Sequence, residues 1–200
     1  MKRLILFLLA TSPIFSQNDF LITNSDQKID IEDGTIIINS LEKTIDYKLL
    51  DKHKSKSINF NQLNYCFFEN YVFMTYDLYN DNNIQGYFIL ADTPKRKLLS
   101  IILPPEADIY NKFNNLETKY RFIIIDENSK ILEQYVFDNI KLESNSINRS
   151  LISNKIKNQF KEFPEFISKL ASFENINDDK FNLKILELFE FPTYMKKVSQ

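Results

Sequence analysis

Residues Tyr65–Leu78 read YCFFENYVFMTYDL, which is the densest aromatic stretch in a chain of 200 residues. Aromatic and β-branched residues favour strands, so this stretch predicts β-structure rather than helix. Glu69-Asn70 is a polar break that would fold the stretch into a hairpin, and one longer bent strand is the alternative. The residues after the break are apolar at successive positions, which is typical of a central strand covered on both faces.

Four tyrosines in and just after this stretch are the candidate binding residues: Tyr65, Tyr71, Tyr76 and Tyr79. Their flat amphipathic rings suit contact with a ligand or with a partner protein. The alternative is that the same rings fill the core of the sheet. Because the chain has no Trp, a sugar-binding platform is the weaker interpretation.

Short stretches of alternating apolar and polar residues on both sides of this segment predict further strands. They lie at 20–23, 28–31, 35–39, 44–49, 58–60, 86–91, 97–103, 119–125 and 131–138. The last four would form two hairpins of one antiparallel sheet. Asp33-Gly34 predicts a tight hairpin turn, because Gly accepts a positive φ. The charged stretch 51–57 (DKHKSKS) predicts an exposed tip.

The hydrophobic period changes near the C-terminus. Ser144–Phe163 has apolar residues three and four positions apart, which predicts an amphipathic helix. Pro164 would break or kink that helix and start a second one. The stretch 181–189 predicts a third helix, with a strand at 181–185 as the alternative. Between the two C-terminal hairpins, Pro105–Asn115 predicts a further helix.

Together these elements predict an α+β fold, with an antiparallel β-rich sheet or curled barrel and C-terminal helices. We expect three regions: a signal peptide at 1–16, a β-rich domain at 17–140, and a helical segment at 141–200 that packs on the sheet. A rolled sheet closed by a C-terminal helix resembles a pleckstrin-homology barrel, which the predicted helix at Pro105–Asn115 would interrupt.

The N-terminus has the order of a secretory signal peptide. Lys2 and Arg3 are followed by the apolar run Leu4–Ala10 and by a small residue, Ser16, before Gln17. We therefore expect a periplasmic or secreted protein, with an uncleaved anchor as the alternative. The run is shorter than the roughly 20 apolar residues of a membrane-spanning helix, so we expect no transmembrane span after cleavage.

The Ser-Gln junction stands in a chain that is heavy in Asn, Ile, Lys and Phe and holds two Gly. This combination resembles exported proteins of the Bacteroidota, which implies a location in the cell envelope. The formal net charge of −2 and the lack of a dense basic block disfavour nucleic acid as a partner.

The chain has one histidine, His53, and one cysteine, Cys66. A multi-His metal site, a thiolate cluster and an internal disulfide are therefore excluded within one chain. We expect His53 at the surface and Cys66 in a core strand. Gly34 and Gly86 lie far apart, so there is no glycine-rich phosphate loop, and both are expected in turns or at strand edges. We expect no catalytic residue, no metal and no cofactor.

Carboxylates are the plentiful catalytic groups. Six lie at predicted strand ends: Asp77, Asp81, Asp92, Asp126, Glu127 and Asp138. Two carboxylates can suffice for a glycosidase, although acidic residues also populate ordinary turns. The leading hypothesis is a non-catalytic binding or assembly module of the envelope, whose partner is an envelope protein or a small ligand. The alternatives are a carboxylate-only glycan hydrolase and a carrier of a small apolar ligand or lipid.

Overall fold

The computed structural model describes residues 19–68, 71–103, 119–138, 143–164, 166–168 and 170. Eleven strands lie in these ranges: β1 Phe20–Thr23, β2 Lys28–Asp30, β3 Ile37–Asn39, β4 Thr44–Lys48, β5 Ser55–Asn59, β6 Leu63–Phe68, β7 Tyr71–Tyr76, β8 Gln85–Asp92, β9 Arg96–Leu103, β10 Lys119–Asp126 and β11 Ile131–Asp138. One 3₁₀ turn, Phe60–Gln62, lies between β5 and β6. The long helix α1 is Glu143–Gln159.

The larger sheet has eight strands in the order β11-β10-β9-β8-β7-β6-β1-β2, and all neighbours are antiparallel. From β6 to β11 each strand pairs with the next one in the chain, as local alternation predicts. Phe68 pairs with Tyr71, so the aromatic stretch is a hairpin and the single long strand is wrong. The predicted α+β class is confirmed, and the sheet is curled rather than closed, because β2 and β11 do not pair.

The smaller sheet has three strands in the order β3-β4-β5. It joins the larger sheet at one antiparallel bridge between Ile31 and Leu49. The predicted charged tip is partly wrong, because β5 begins at Ser55 and pairs with β4. Ser55 lies opposite Lys48 there, so the strand extends well before Ile58.

The turn at Asp33-Gly34 does not close a hairpin, contrary to the prediction. The strand before it pairs with β1 in the larger sheet, and the strand after it pairs with β4 in the smaller one. Gly34 has a φ of 71°, and its N–H donates to the Asp19 carboxylate at 3.1 Å. In return, the Asp19 N–H donates to the Asp33 carboxylate at 3.0 Å. This turn therefore moves the chain from one sheet to the other.

One face of the larger sheet is covered in two parts. At the β1–β6–β7 end, the smaller sheet and Phe60 pack on it and enclose a cluster that we call the sandwich core. Its fully or nearly fully buried members include Leu21, Ile45, Cys66 and Phe73. At the other end, α1 and the residues after it pack on β8–β11 and enclose the helix-side core, whose buried members include Phe122 and Phe160.

The opposite face carries a third apolar cluster that runs across the sheet from Phe20 to Ile125. Leu99 and Ile123 lie in its middle and are completely buried. Strand alternation explains the division, because neighbouring residues of one strand point to opposite faces. Both faces of the central strands are therefore apolar, as the sequence predicts.

Helix α1 ends four residues before the predicted end at Phe163. The Arg96 guanidinium donates to the backbone carbonyl of Gln159 and, at 2.9 Å, to its side-chain oxygen. The side chain of Gln159 donates in turn to Glu133 on β11. Backbone carbonyls at the end of a helix lack partners within it, so an arginine there satisfies one of them. Helical residues resume at Pro164.

Several predictions lie outside the described residues: the signal peptide at 1–16, the helix at Pro105–Asn115 and the helix or strand at 181–189. Among the residues that are described, no helix combines the length and apolarity needed to cross a membrane.

Gly86 lies near the start of β8, opposite Thr75, so of the two expected positions it occupies the end of a strand and not a turn. A Cβ atom at this position would lie 2.0 Å from Cζ of Phe73 and 3.0 Å from Cε2 of Phe60. Gly86 therefore leaves the space that those two rings occupy in the sandwich core.

Candidate functional site

The four candidate tyrosines do not form one surface. Tyr71 lies on the covered face, with its ring centroid 6.0 Å from that of Phe88. Tyr65 and Tyr76 pack against the cluster on the opposite face. Tyr79 lies beyond β7 and is 47% exposed, and its hydroxyl donates to the side chain of Gln134 at 3.2 Å.

Burial sets the chemistry of the aromatic hydroxyls on the opposite face. It raises the pKa of Tyr76, and the negative charge of Asp92 adds to the effect. It also raises the pKa of Tyr87, a neighbour of Tyr76, to about 12. Both hydroxyls therefore stay protonated at neutral pH, which suits packing and not proton abstraction.

The single cysteine and histidine occupy the positions that the sequence predicts. Cys66 is completely buried in β6, and burial, followed by the nearby charge of Asp19, raises the pKa of its thiol. An unreactive thiol follows, because the thiolate is the nucleophile. His53 is exposed, and its Nδ1 lies 2.8 Å from a carboxylate oxygen of Glu32. That hydrogen bond lowers the pKa of Glu32.

Three of the candidate acidic residues stabilise loops, and one of them, Asp81, accepts a hydrogen bond from the backbone N–H of Asn83 at 2.9 Å. Asp77 accepts hydrogen bonds from the backbone N–H groups of Asp81 and Asn82. Asp126 accepts them from the N–H groups of Asn128 and Lys130. Such bonds from a side chain to a nearby backbone are a usual feature of turns.

A fourth acidic candidate forms an ion pair. Asp92 contacts the Lys97 amino group at 2.6 Å, across the hairpin of β8 and β9. In the parts of the chain that the structure describes, no three His, Cys, Asp or Glu side chains cluster as metal ligands would.

Within the described residues, a concave cleft lies where the edge of the larger sheet meets the smaller one. It has a volume of about 590 Å³ and lies between β2, the end of β4 and β5. Beside the cleft, Leu50 donates its N–H to the carbonyl of Asp30 at 3.3 Å. The chain then turns back, with the N–H of His53 bonded to the carbonyl of Leu49 at 2.9 Å. That turn ends the pairing between the two sheets, so the rest of β2 borders the cleft.

The cleft has an apolar floor and a charged rim. Tyr47 and Ile58 are buried side chains of the smaller sheet that line it, and burial raises the pKa of Tyr47. The rim has three lysines and two aspartates: Lys28, Lys52, Lys56, Asp30 and Asp51. Lys28 and Asp30 pair with each other at 2.8 Å. The exposed side chains of Lys52 and Lys56 then outnumber the remaining carboxylate of Asp51.

Sequence reasoning missed this cleft. Two of its lysines, Lys52 and Lys56, belong to the stretch 51–57, which the sequence assigns to an exposed tip, and its other wall, with Lys28, comes from β2. The bridge between Ile31 and Leu49, with the hydrogen bonds beside it, brings the two walls together. The density of lysine in 52–56 was the available signal, but it does not identify the opposing wall.

Comparison of the chain with protein-family models, with curated proteins and with solved structures gives no match.

Proposed function

We propose that the protein is an exported, non-catalytic binding module, and that the cleft beside β2 holds an extended ligand with negative charge. The cleft itself carries the proposal, because an apolar floor and a rim with excess lysine are the features that such a ligand needs. Its shape is an open groove about 590 Å³ in volume, which suits an extended chain better than an enclosed small molecule. Acidic peptide segments have this chemistry.

The side chains of the cleft support binding rather than catalysis. A general base needs a pKa near the working pH, and usually a partner that holds it in place. Asp30 is instead paired with Lys28, and the raised pKa of Tyr47 keeps its hydroxyl protonated. The glycan-hydrolase and apolar-carrier hypotheses stay predictions that no specific observation in the described residues favours.

Titration of a fluorescein-labelled oligoglutamate peptide, read by fluorescence anisotropy, tests the proposal. We expect saturable binding that weakens about tenfold in the double variant Lys52→Glu/Lys56→Glu, which corresponds to about 1.4 kcal/mol. The matched control, Lys95→Glu/Lys161→Glu, makes the same charge change at exposed positions outside the cleft and should bind as the wild type does. Equal losses in both variants, or no saturable binding by the wild type, would overturn the proposal.

Export is the second part of the proposal, and the order of residues in Met1–Ser16 supports it. Edman sequencing of protein recovered from the periplasm or the medium of an expressing bacterium should begin at or near Gln17. Recovery of the intact N-terminus from the membrane fraction would replace export with anchoring, and recovery from the cytoplasm alone would contradict both.

A further inference from the structure

Strand β11 is the terminal strand of the larger sheet in the described part of the chain. It has eight residues, and within the described ranges its single strand neighbour is β10. Two large apolar side chains on it are solvent-exposed, Leu132 by 44% and Val136 by 53%. Gln134 lies between them and is also exposed. A long edge with exposed apolar side chains and unpaired backbone groups is a template for another strand.

The sequence of β11 is complementary to itself when it is reversed about Gln134. In an antiparallel pair centred there, Leu132 of each copy lies opposite Val136 of the other. Glu133 then lies opposite Tyr135, so no carboxylate faces a carboxylate. Cross-strand apolar pairs and opposite charges stabilise antiparallel sheets, and like charges destabilise them.

We propose that β11 pairs antiparallel with β11 of a second copy of this chain, in the register centred on Gln134. The two copies are then related by a twofold axis, which places the same surface on both sides of the contact. The bulge at Leu132, between the pairs of Ile124 and Ile125 with β11, limits regular pairing to the segment from 132 to 136. A contact this short is small, so the dimer forms and dissociates with protein concentration.

Sedimentation velocity across a concentration series tests the association. We expect the wild type to shift from monomer to dimer as its concentration rises from the low micromolar to the submillimolar range. Val136→Lys should abolish the shift, because it places a lysine opposite Leu132 twice in each dimer. The control is Leu41→Lys, at an apolar residue that is 82% exposed in the turn after β3, and it should dimerise as the wild type does. A wild type that stays monomeric, or equal loss in both variants, overturns the proposal.

Oxidative cross-linking tests the register. Cys66 is completely buried, so it does not compete with a new surface thiol. In Gln134→Cys the two introduced thiols face each other across the twofold axis, at a separation that a disulfide can bridge. We expect most of this variant to form a covalent dimer under mild oxidation. Glu133→Cys should cross-link at least tenfold more slowly, because its partner in this register is Tyr135. Equal cross-linking of the two variants would exclude the proposed register.

Discussion

At one edge of the larger sheet, β2 has three residues, carries Lys28 and Asp30, and is met at its end by Leu49 and Leu50. At the other edge, β11 has eight residues and exposes Leu132 and Val136. Short, charged and partly covered edges resist further pairing, whereas long apolar ones invite it. The two edges therefore fit the two proposed partners: a charged ligand in the groove beside β2, and a strand of a second copy at β11.

The covers next to these edges also differ. The sandwich core is enclosed by a second sheet, and the helix-side core is enclosed by α1 and the residues after it. Among the described residues, the buried side-chain polar atoms without a hydrogen-bond partner all lie on the helix side: Arg96 Nε, Ser100 Oγ, Tyr135 Oη and Ser153 Oγ. Each such atom costs about 1–3 kcal/mol of stability. The helix-side core therefore contains more unpaired polar side chains than the sandwich core does.

The largest expected effects come from truncating one aromatic ring in each core. Phe60→Ala and Phe160→Ala each remove a nearly or fully buried ring, and each should lower the free energy of unfolding by about 3–5 kcal/mol. Urea denaturation measures these losses. Hydrogen exchange should then show faster opening of β4 and β5 in Phe60→Ala and of α1 in Phe160→Ala. Equal acceleration at both ends in both variants would show that the two covers unfold as one unit.

The next largest effect concerns the packing of the sandwich core. Gly86→Ala places a Cβ atom 2.0 Å from the ring of Phe73, and overpacking of this kind should destabilise the protein by about 3 kcal/mol. The control is Gly34→Ala, which has open space around the new atom but keeps a φ of 71°, so it should cost about 1 kcal/mol. Thermal unfolding compares the two variants. A larger loss at Gly34 would mean that backbone strain, and not the space taken by Phe73, decides the ranking.

The smallest effect has the opposite sign and concerns the helix side. Ser153→Ala removes a completely buried hydroxyl that has no partner in the described residues, and should stabilise the protein by about 1 kcal/mol. Ser150→Ala changes an exposed residue of the same helix and should leave the stability within about 0.5 kcal/mol. Denaturation midpoints for the two variants provide the measurement. Destabilisation by Ser153→Ala would contradict the view that this hydroxyl weakens the helix cover.

The strands from β6 to β11 were predictable because each pairs with its neighbour in the chain, and alternation records which face is buried. The prediction fails at Asp33-Gly34. The turn forms there as its sequence predicts, but the strands on its two sides pair in different sheets. Which sheet receives the next strand depends on the packing of Ile31 and Leu49 in the sandwich core, and those residues meet only in the tertiary structure.

The candidate site was less predictable than the fold. The aromatic stretch was correctly assigned to the sheet, but its tyrosines are divided between two faces and an exposed loop. The cleft combines Lys28 of β2 with Lys52 and Lys56 from the segment that leads into and forms β5. Neither segment has a sequence that indicates a binding site by itself. The site depends on the contact between Ile31 and Leu49, which no local pattern specifies.

The position of β1 has a consequence for the order in which the molecule assembles. β1 pairs with β6, so Phe20 lies opposite Phe67. The four strands β2 to β5 lie between them in the sequence. During synthesis from the N-terminus, β1 and β2 can form a hairpin early, but that hairpin has no sheet to join until β6 emerges. Two-stranded hairpins are only marginally stable alone, and closing so long a loop costs entropy. Docking of the N-terminal hairpin is therefore a late step, whereas the meander from β6 onward can grow one strand at a time.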